Sequence, residues 1–265
     1  MHKNIKMKKL ITLFFLLLIT ISTSISCSGD DSGSENPADV VLIKKVTEVL
    51  IADEMELTKN FSYENNVLVS LYDENNKLEF TYDGDKVTHA KTFYNGVLVA
   101  QTFIFYDGNQ LDYTLSGENG DQKTQYYYTN GILSKIESGY IGNNDEFVVL
   151  ETEQLFFNGW NVGESHVTGN FGGTPFSYKH KFTYDTKNAP SKFMNKYLRL
   201  LLDTAGFRGI NENNNLTKQF LSPTDNSILS TNTFEIIYNE NDYPTEIKEY
   251  NAENALRTIT KIEYQ

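Results

Sequence analysis

The feature that most constrains this chain is a series of turn-forming stretches set at nearly even intervals between aromatic-rich segments. Glu64-Asn65-Asn66, Glu74-Asn75-Asn76, Asp83-Gly84-Asp85, Asn95-Gly96, Asp107-Gly108-Asn109, Glu118-Asn119-Gly120-Asp121, Asn130-Gly131 and Gly142-Asn143-Asn144 follow one another about 9 to 12 residues apart, the length of a strand plus a turn. Asn-Gly and Asp-Gly accept the positive φ that tight hairpin turns demand. One such signal is weak, but a series of them points to an antiparallel meander.

The segments between the turns alternate. Phe80 and Tyr82 oppose Thr81 and Asp83, Tyr126 and Tyr128 oppose Gln125 and Tyr127, and Phe182 and Tyr184 oppose Lys181 and Thr183. By the same reading Phe103 and Phe105 face the core against Thr102 and Ile104. A period of two means one buried face and one wetted face. With 17 Phe, 17 Tyr and only 5 Pro, the composition favours strands. The expected fold is all-β, an antiparallel meander of about 14–16 strands curled into an open barrel or shell. Val41-Leu42-Ile43 and Val49-Leu50-Ile51 are read as strands within it.

Such a sheet needs a cover for its apolar side. Phe193, Tyr197, Leu200 and Leu201 fall at helical spacing and predict one short helix near 191–205, with Ser191 as N-cap and Gly206 or Gly209 as its stop. No Pro- or Ser-rich break interrupts residues 40–265, so they are expected to form a single domain.

The N-terminus carries a different message. Lys3, Lys6, Lys8 and Lys9 precede the apolar run Leu10–Ile21, which is short of the roughly 20 residues a spanning helix needs and fits a signal peptide over residues 1–26. Cys27, the one cysteine, follows Ser26. This arrangement resembles the lipobox of bacterial lipoproteins, although Ser24 and Ile25 depart from the usual residues. The resemblance implies cleavage before Cys27 and its acylation, which would hold the protein on a membrane. Residues 27–39 then form the acylated cysteine and a polar tether. Asp30-Asp31 resembles the export signal of surface lipoproteins of the Bacteroidota. The implied location is the outer membrane, lipid-anchored and exposed at the cell surface. Without the leader the chain keeps 19 basic and 35 acidic side chains, a net charge of −16, which repels nucleic acid.

Leu71-Tyr72-Asp73-Glu74-Asn75-Asn76-Lys77-Leu78, Phe105-Tyr106-Asp107-Gly108-Asn109-Gln110-Leu111 and Tyr238-Asn239-Glu240-Asn241-Asp242-Tyr243-Pro244 resemble the YD, or Rhs-type, repeat. Phe182-Thr183-Tyr184-Asp185, leading into a helix, is similar to a segment of Bacteroidota lipoproteins of unknown function with degenerate YD repeats. The resemblance implies an antiparallel shell on the cell surface and brings no catalytic motif.

No His-Glu-x-x-His, Gly-x-Ser-x-Gly elbow or phosphate-binding loop occurs, and His89, His166 and His180 are widely separated. No cofactor or metal is expected. The Gly-rich stretch 158–174 holds the one Trp, and Trp160, Asn161, Glu164, His166 and Phe171 are the candidate ligand-binding residues, with the indole as a face on which a sugar can stack. The expected function is a non-enzymatic binding module for a glycan, peptide or protein. The alternatives are a surface hydrolase acting on polysaccharide or peptide, and a structural envelope-assembly protein without a small ligand.

Overall fold

A computed structural model describes residues 40–117, 120–204, 207–208 and 210–265; the leader, Cys27, the tether, and Gly206 and Gly209 lie outside the described residues. The strands are Ile43–Leu50 (β1), Met55–Glu64 (β2), Val67–Tyr72 (β3), Asn76–Asp83 (β4), Lys86–Tyr94 (β5) and Val97–Asp107 (β6). They continue with Gln110–Ser116 (β7), Gln122–Thr129 (β8), Ile132–Ile141 (β9), Phe147–Asn158 (β10), Asn161–Phe171 (β11) and Thr174–Tyr184 (β12). After a helix, Lys196–Leu201 (α1), and a small ladder of Asp203–Thr204 (β13) and Phe207–Arg208 (β14), the meander resumes. Its last strands are Asn215–Leu221 (β15), Ile228–Tyr238 (β16), Pro244–Tyr250 (β17) and Leu256–Tyr264 (β18).

All strands but β13 and β14 join one closed antiparallel barrel, in which β1 pairs with β18 and β12 with β15. The expected shell is therefore shut rather than open. Closure leaves no unpaired edge, which a long flat strand would otherwise offer to another chain.

Each even-numbered barrel strand ends on an aromatic turned into the lumen: Tyr63, Tyr82, Tyr106, Tyr128, Phe157, Tyr184, Tyr238 and Tyr264. Two residues earlier on each strand comes a second ring, of Phe61, Phe80, Ile104, Tyr126, Leu155, Phe182, Ile236 and Ile262. Two earlier again the ring turns mixed and polar, with Lys59, Leu78, Thr102, Thr124, Glu153, His180, Phe234 and Thr260. The register slips by one residue immediately before the aromatic at Ser62/Tyr63, Thr81/Tyr82, Phe105/Tyr106, Tyr127/Tyr128, Phe156/Phe157, Thr183/Tyr184 and Ile237/Tyr238. These bulges bring an aliphatic residue of the next strand opposite the aromatic, as with Leu68, Val87, Leu111, Leu133 and Val162.

The observed phase of β6 corrects the reading of Phe103 and Phe105. They point outward, 43% and 37% exposed, and Ile104 and Tyr106 face the core. The Tyr72-Asp73 copy of the repeat is also out of phase with the others. Tyr72 ends an odd-numbered strand at the opposite end of the barrel and is exposed, while Asp73 Oδ1 accepts from the Asn75 and Asn76 N–H groups to shape the turn.

The described residues between β12 and β15 leave the wall and pack into the end of the lumen. Met194, Leu198, Leu200, Leu202 and Ile210 join the inward rings in one core. The helix is shorter than the predicted span. Its N-cap is Asn195, whose Oδ1 accepts from the N–H groups of Tyr197 and Leu198, and Tyr197, Leu198 and Leu200 form its buried face. Phe193 precedes it and packs against Tyr243. Ser191 lies in the turn before it, where its carbonyl accepts from the Met194 N–H.

The wall is wetted outside. Thr81, Lys181, Thr183, Lys261 and Glu263 are exposed between the buried Phe80, Phe182 and Ile262. A barrel that crosses a bilayer alternates the other way, and a lysine or arginine on a lipid-facing wall costs about 2–4 kcal/mol at the midplane. This wall faces water and encloses an apolar, plugged lumen.

Candidate functional site

The five residues singled out in the Gly-rich stretch do not converge. Trp160 sits in the β10–β11 turn at the plugged end, 51% exposed. Asn161 is buried and anchors the plug: its Oδ1 accepts from the N–H groups of Glu212 (2.9 Å) and Asn213 (3.1 Å), and its Nδ2 donates to Asn213 Oδ1 (2.9 Å). Glu164 and His166 lie on the outer wall, where the carboxylate meets the ring Nε2 and the ring tilts against Phe156. Phe171, 84% exposed, ends the same strand at the far rim. At about 3.3 Å per residue, Asn161 and Phe171 stand some 33 Å apart.

The polar layer of the lumen holds two acidic groups on nearly opposite walls. On β1 and β17, Glu48 and Glu249 share a neighbourhood with Lys59, and Glu249 accepts from Asn232 (2.6 Å) and Thr258 (3.3 Å). Burial pushes the Glu48 carboxyl above its ordinary range; Lys59 pulls it down and Glu249 pushes it up. On β10, burial and then the charge of Glu153 raise Glu151. Ser165 and His180 pair at 3.5 Å on the adjoining strands, and His180 packs edge-on to Phe220. Among the described residues, no group of three or more His, Cys, Asp or Glu side chains is placed to hold a metal ion.

The outer wall from β5 to β11 carries a different arrangement, of flat rings interleaved with polar groups. His89 stacks on Phe103 with centroids 4.5 Å apart, and Phe105 on Tyr113 at 4.4 Å. Lys123 Nζ lies 4.6 Å from the Tyr113 ring and 5.0 Å from the Phe147 ring. Further along, Lys135 lies 3.7 Å over Tyr127, and both donate to Glu137, at 2.7 and 2.6 Å. Burial works against the Glu137 charge, yet these two donors hold its carboxyl below the ordinary range. Burial and the Glu137 bond push the Tyr127 phenol up to about 12. Beside them a shallow groove is lined by Tyr127, Ser134, Lys135, Gln154 and Phe156. Phe156 links it to the His166–Glu164 pair.

Most of this surface escapes a reading from sequence alternation, because the run Phe103-Ile104-Phe105-Tyr106 is apolar or aromatic on both faces and leaves the phase of β6 open. The signal that finds it is the five-residue spacing from Tyr106 to Leu111, which fixes Tyr106 inward and so Phe105 outward.

No family model matches this chain, and no curated protein sequence does. Its fold is similar to those of two solved structures. A porin-like protein from Bacteroides vulgatus ATCC 8482 superposes with a TM-score of 0.54 at 14% identity, over 85% of this chain and 99% of that one. A porin-like protein from Bacteroides uniformis ATCC 8492 does so with a TM-score of 0.54 at 10% identity, over 84% of this chain and 96% of that one. At these identities the likeness is one of fold: this chain is a closed antiparallel barrel of the same architecture.

Proposed function

We propose that this chain is a lipid-anchored protein of the outer membrane, exposed at the cell surface, whose barrel is a non-enzymatic binding module built from degenerate YD repeats. The observation that carries the binding reading is the polarity of the barrel. At one end its lumen is closed by two apolar rings and a plug, with a polar layer behind them, and its wall is charged and wetted, so a ligand meets the outside. On that outside, the aromatic rings of β6–β8 interleave with Gln125, Lys135 and Gln154, a combination that stacks on a sugar face while hydrogen-bonding its hydroxyls. An extended peptide with aromatic or basic side chains meets the same chemistry, and a glycan is the first ligand to test.

The lysines before a short apolar run, Cys27 and Asp30-Asp31 support the anchor and the address, and the likeness in fold to porin-like proteins of Bacteroides supports the outer membrane alone. The test has two arms. Acyl labelling and fractionation compare wild type with Cys27→Ser, which is expected to leave the membrane. The purified protein is then screened on glycan and peptide arrays. Binding that disappears in Phe105→Ser with Tyr113→Ser is the expected result; turnover of a substrate with the same variants fully active would contradict it.

A further inference from the structure

The end of the barrel opposite the plug exposes large apolar side chains that the wall surface does not use. Phe171 at the β11–β12 turn is the most exposed, Leu229 at the start of β16 is 68% exposed, and Ile228, Leu150 and Tyr140 are exposed beside them. They lie on β9, β10, β11 and β16, which with β12 and β15 between them form one run of neighbours in the barrel, so these residues fall on one arc of the rim. Isolated exposed apolar residues are ordinary, whereas an arc of them marks an interaction surface.

One of them is presented by the backbone itself. Leu150 has no partner on β9, because the register slips between Val149 and Glu151, and none on β11, because that ladder begins at Glu151. The strands flanking this bulge carry Gly139 and Gly169. A Cβ on Gly139 would stand 2.0 Å from the Val148 carbonyl oxygen, and one on Gly169 2.6 Å from that of Leu150. Any other residue at either position would push the bulge away.

The charge around this arc selects its occupant. The turns along this arc, at 142–146, 172–173 and 222–227, carry Asp145, Glu146 and Asp225 and contain no lysine or arginine. Asp225, next to Ile228 and Leu229, is held down to about 2 by hydrogen bonds from Ser222 and Ser227 and stays anionic. Lys179 on the adjoining wall is engaged by Asn226 Oδ1 at 2.7 Å. An acidic rim repels a phosphate-rich leaflet and a second copy of itself, and attracts a cationic partner. The chain enters the barrel at the other end, where Gln265 N–H donates to the Leu42 carbonyl beside the Tyr264 ring position. The arc therefore points away from the tethered end.

We propose that this rim, from Tyr140 through Leu150 and Phe171 to Ile228 and Leu229, docks a protein whose contact surface is apolar at its centre and ringed by lysine and arginine. This rests on the binding-module reading and names the partner class for a second surface of it.

The test places a photo-crosslinking side chain at position 171 or 229 of the full-length protein, or at the mid-wall position 81 as control, and illuminates intact cells. The expected result is a discrete protein adduct from 171 and 229 and none from 81. The crosslinked protein, once purified, should bind wild type more weakly as salt rises, and lose about ten-fold or more in affinity to Phe171→Ser with Leu229→Ser, whose melting curve is unchanged. Equal adducts from position 81, adducts only with lipid or with a second copy, or an affinity untouched by the double substitution or by salt would overturn it. Those outcomes leave the wall reading standing, whereas loss of membrane attachment and of all array binding would sink the binding module itself.

Discussion

The Tyr106 hydroxyl donates to the Val87 carbonyl at 2.7 Å, tying the end of β6 to the start of β5 beside it. Tyr82 does the same to Leu68 at 2.6 Å, Tyr184 to Val162 at 2.7 Å and Tyr264 to Pro244 at 2.8 Å. The repeat thus calls for Tyr rather than Phe because its hydroxyl satisfies a carbonyl that the bulge leaves outside the ladder. Tyr106→Phe should lose about 1 kcal/mol in denaturant unfolding, the usual net worth of one hydrogen bond. Phe157 is the ring position without a hydroxyl, and Phe157→Tyr should gain up to a similar amount by reaching the Leu133 carbonyl.

The phase of β6 can be read from a pair of substitutions. Ile104→Ala should cost about 2–5 kcal/mol, as for a large side chain deleted from a core. Phe103→Ala should cost far less, because its ring lies on the outer wall against His89. A larger loss from Phe103→Ala than from Ile104→Ala in thermal unfolding would put the strand in the opposite phase.

Much of the architecture is legible in the sequence, and the limits are physical. The turns at Asn95-Gly96 and Asn130-Gly131 and the alternation at Phe80-Tyr82 and Phe182-Tyr184 announce a curled meander, and its closure is not legible in them. Alternation alone mistakes Phe103 and Phe105, because Phe103-Ile104-Phe105-Tyr106 is apolar or aromatic at every position and fits either phase. The helix near 191–205 is legible as an apolar stripe, but its start is not. The Asn195 side chain caps the first turn and leaves Phe193 outside. Asn161 looks like a ligand-binding amide, and only the return of residues 212 and 213 across the barrel end reveals it as a clasp.

That clasp supports a prediction about the plug. Asn161→Ala strands the Glu212 and Asn213 N–H groups, at roughly 1–3 kcal/mol for each one left unpaired. Hydrogen exchange should quicken across 187–202 and 210–214 while the strands β4–β8 keep their protection. Uniform loss across all strands would make the plug part of one cooperative unit with the wall.

The two raised carboxyls give a pH signature. Burial is the leading cause at both Glu48 and Glu151, with Glu249 and Glu153 adding to it respectively and Lys59 opposing it at Glu48. A carboxyl whose folded pKa exceeds its unfolded value opposes folding once ionised. The cost is absent below the unfolded value of about 4.3, grows as pH rises through the folded value, and is full above it. Glu48→Gln and Glu151→Gln should therefore raise the melting temperature at pH 7, with the gain fading by pH 4. A gain that grew on acidification would contradict the assignment.

The central claim is that this barrel is a wetted, plugged module rather than a conduit through a membrane. The most direct measurement is to purify residues 40–265 without detergent and then add them to a planar bilayer. The account predicts a monodisperse, β-rich protein that stays in buffer and opens no conductance. A chain that needs detergent to remain in solution, or that gives discrete conductance steps, would contradict it.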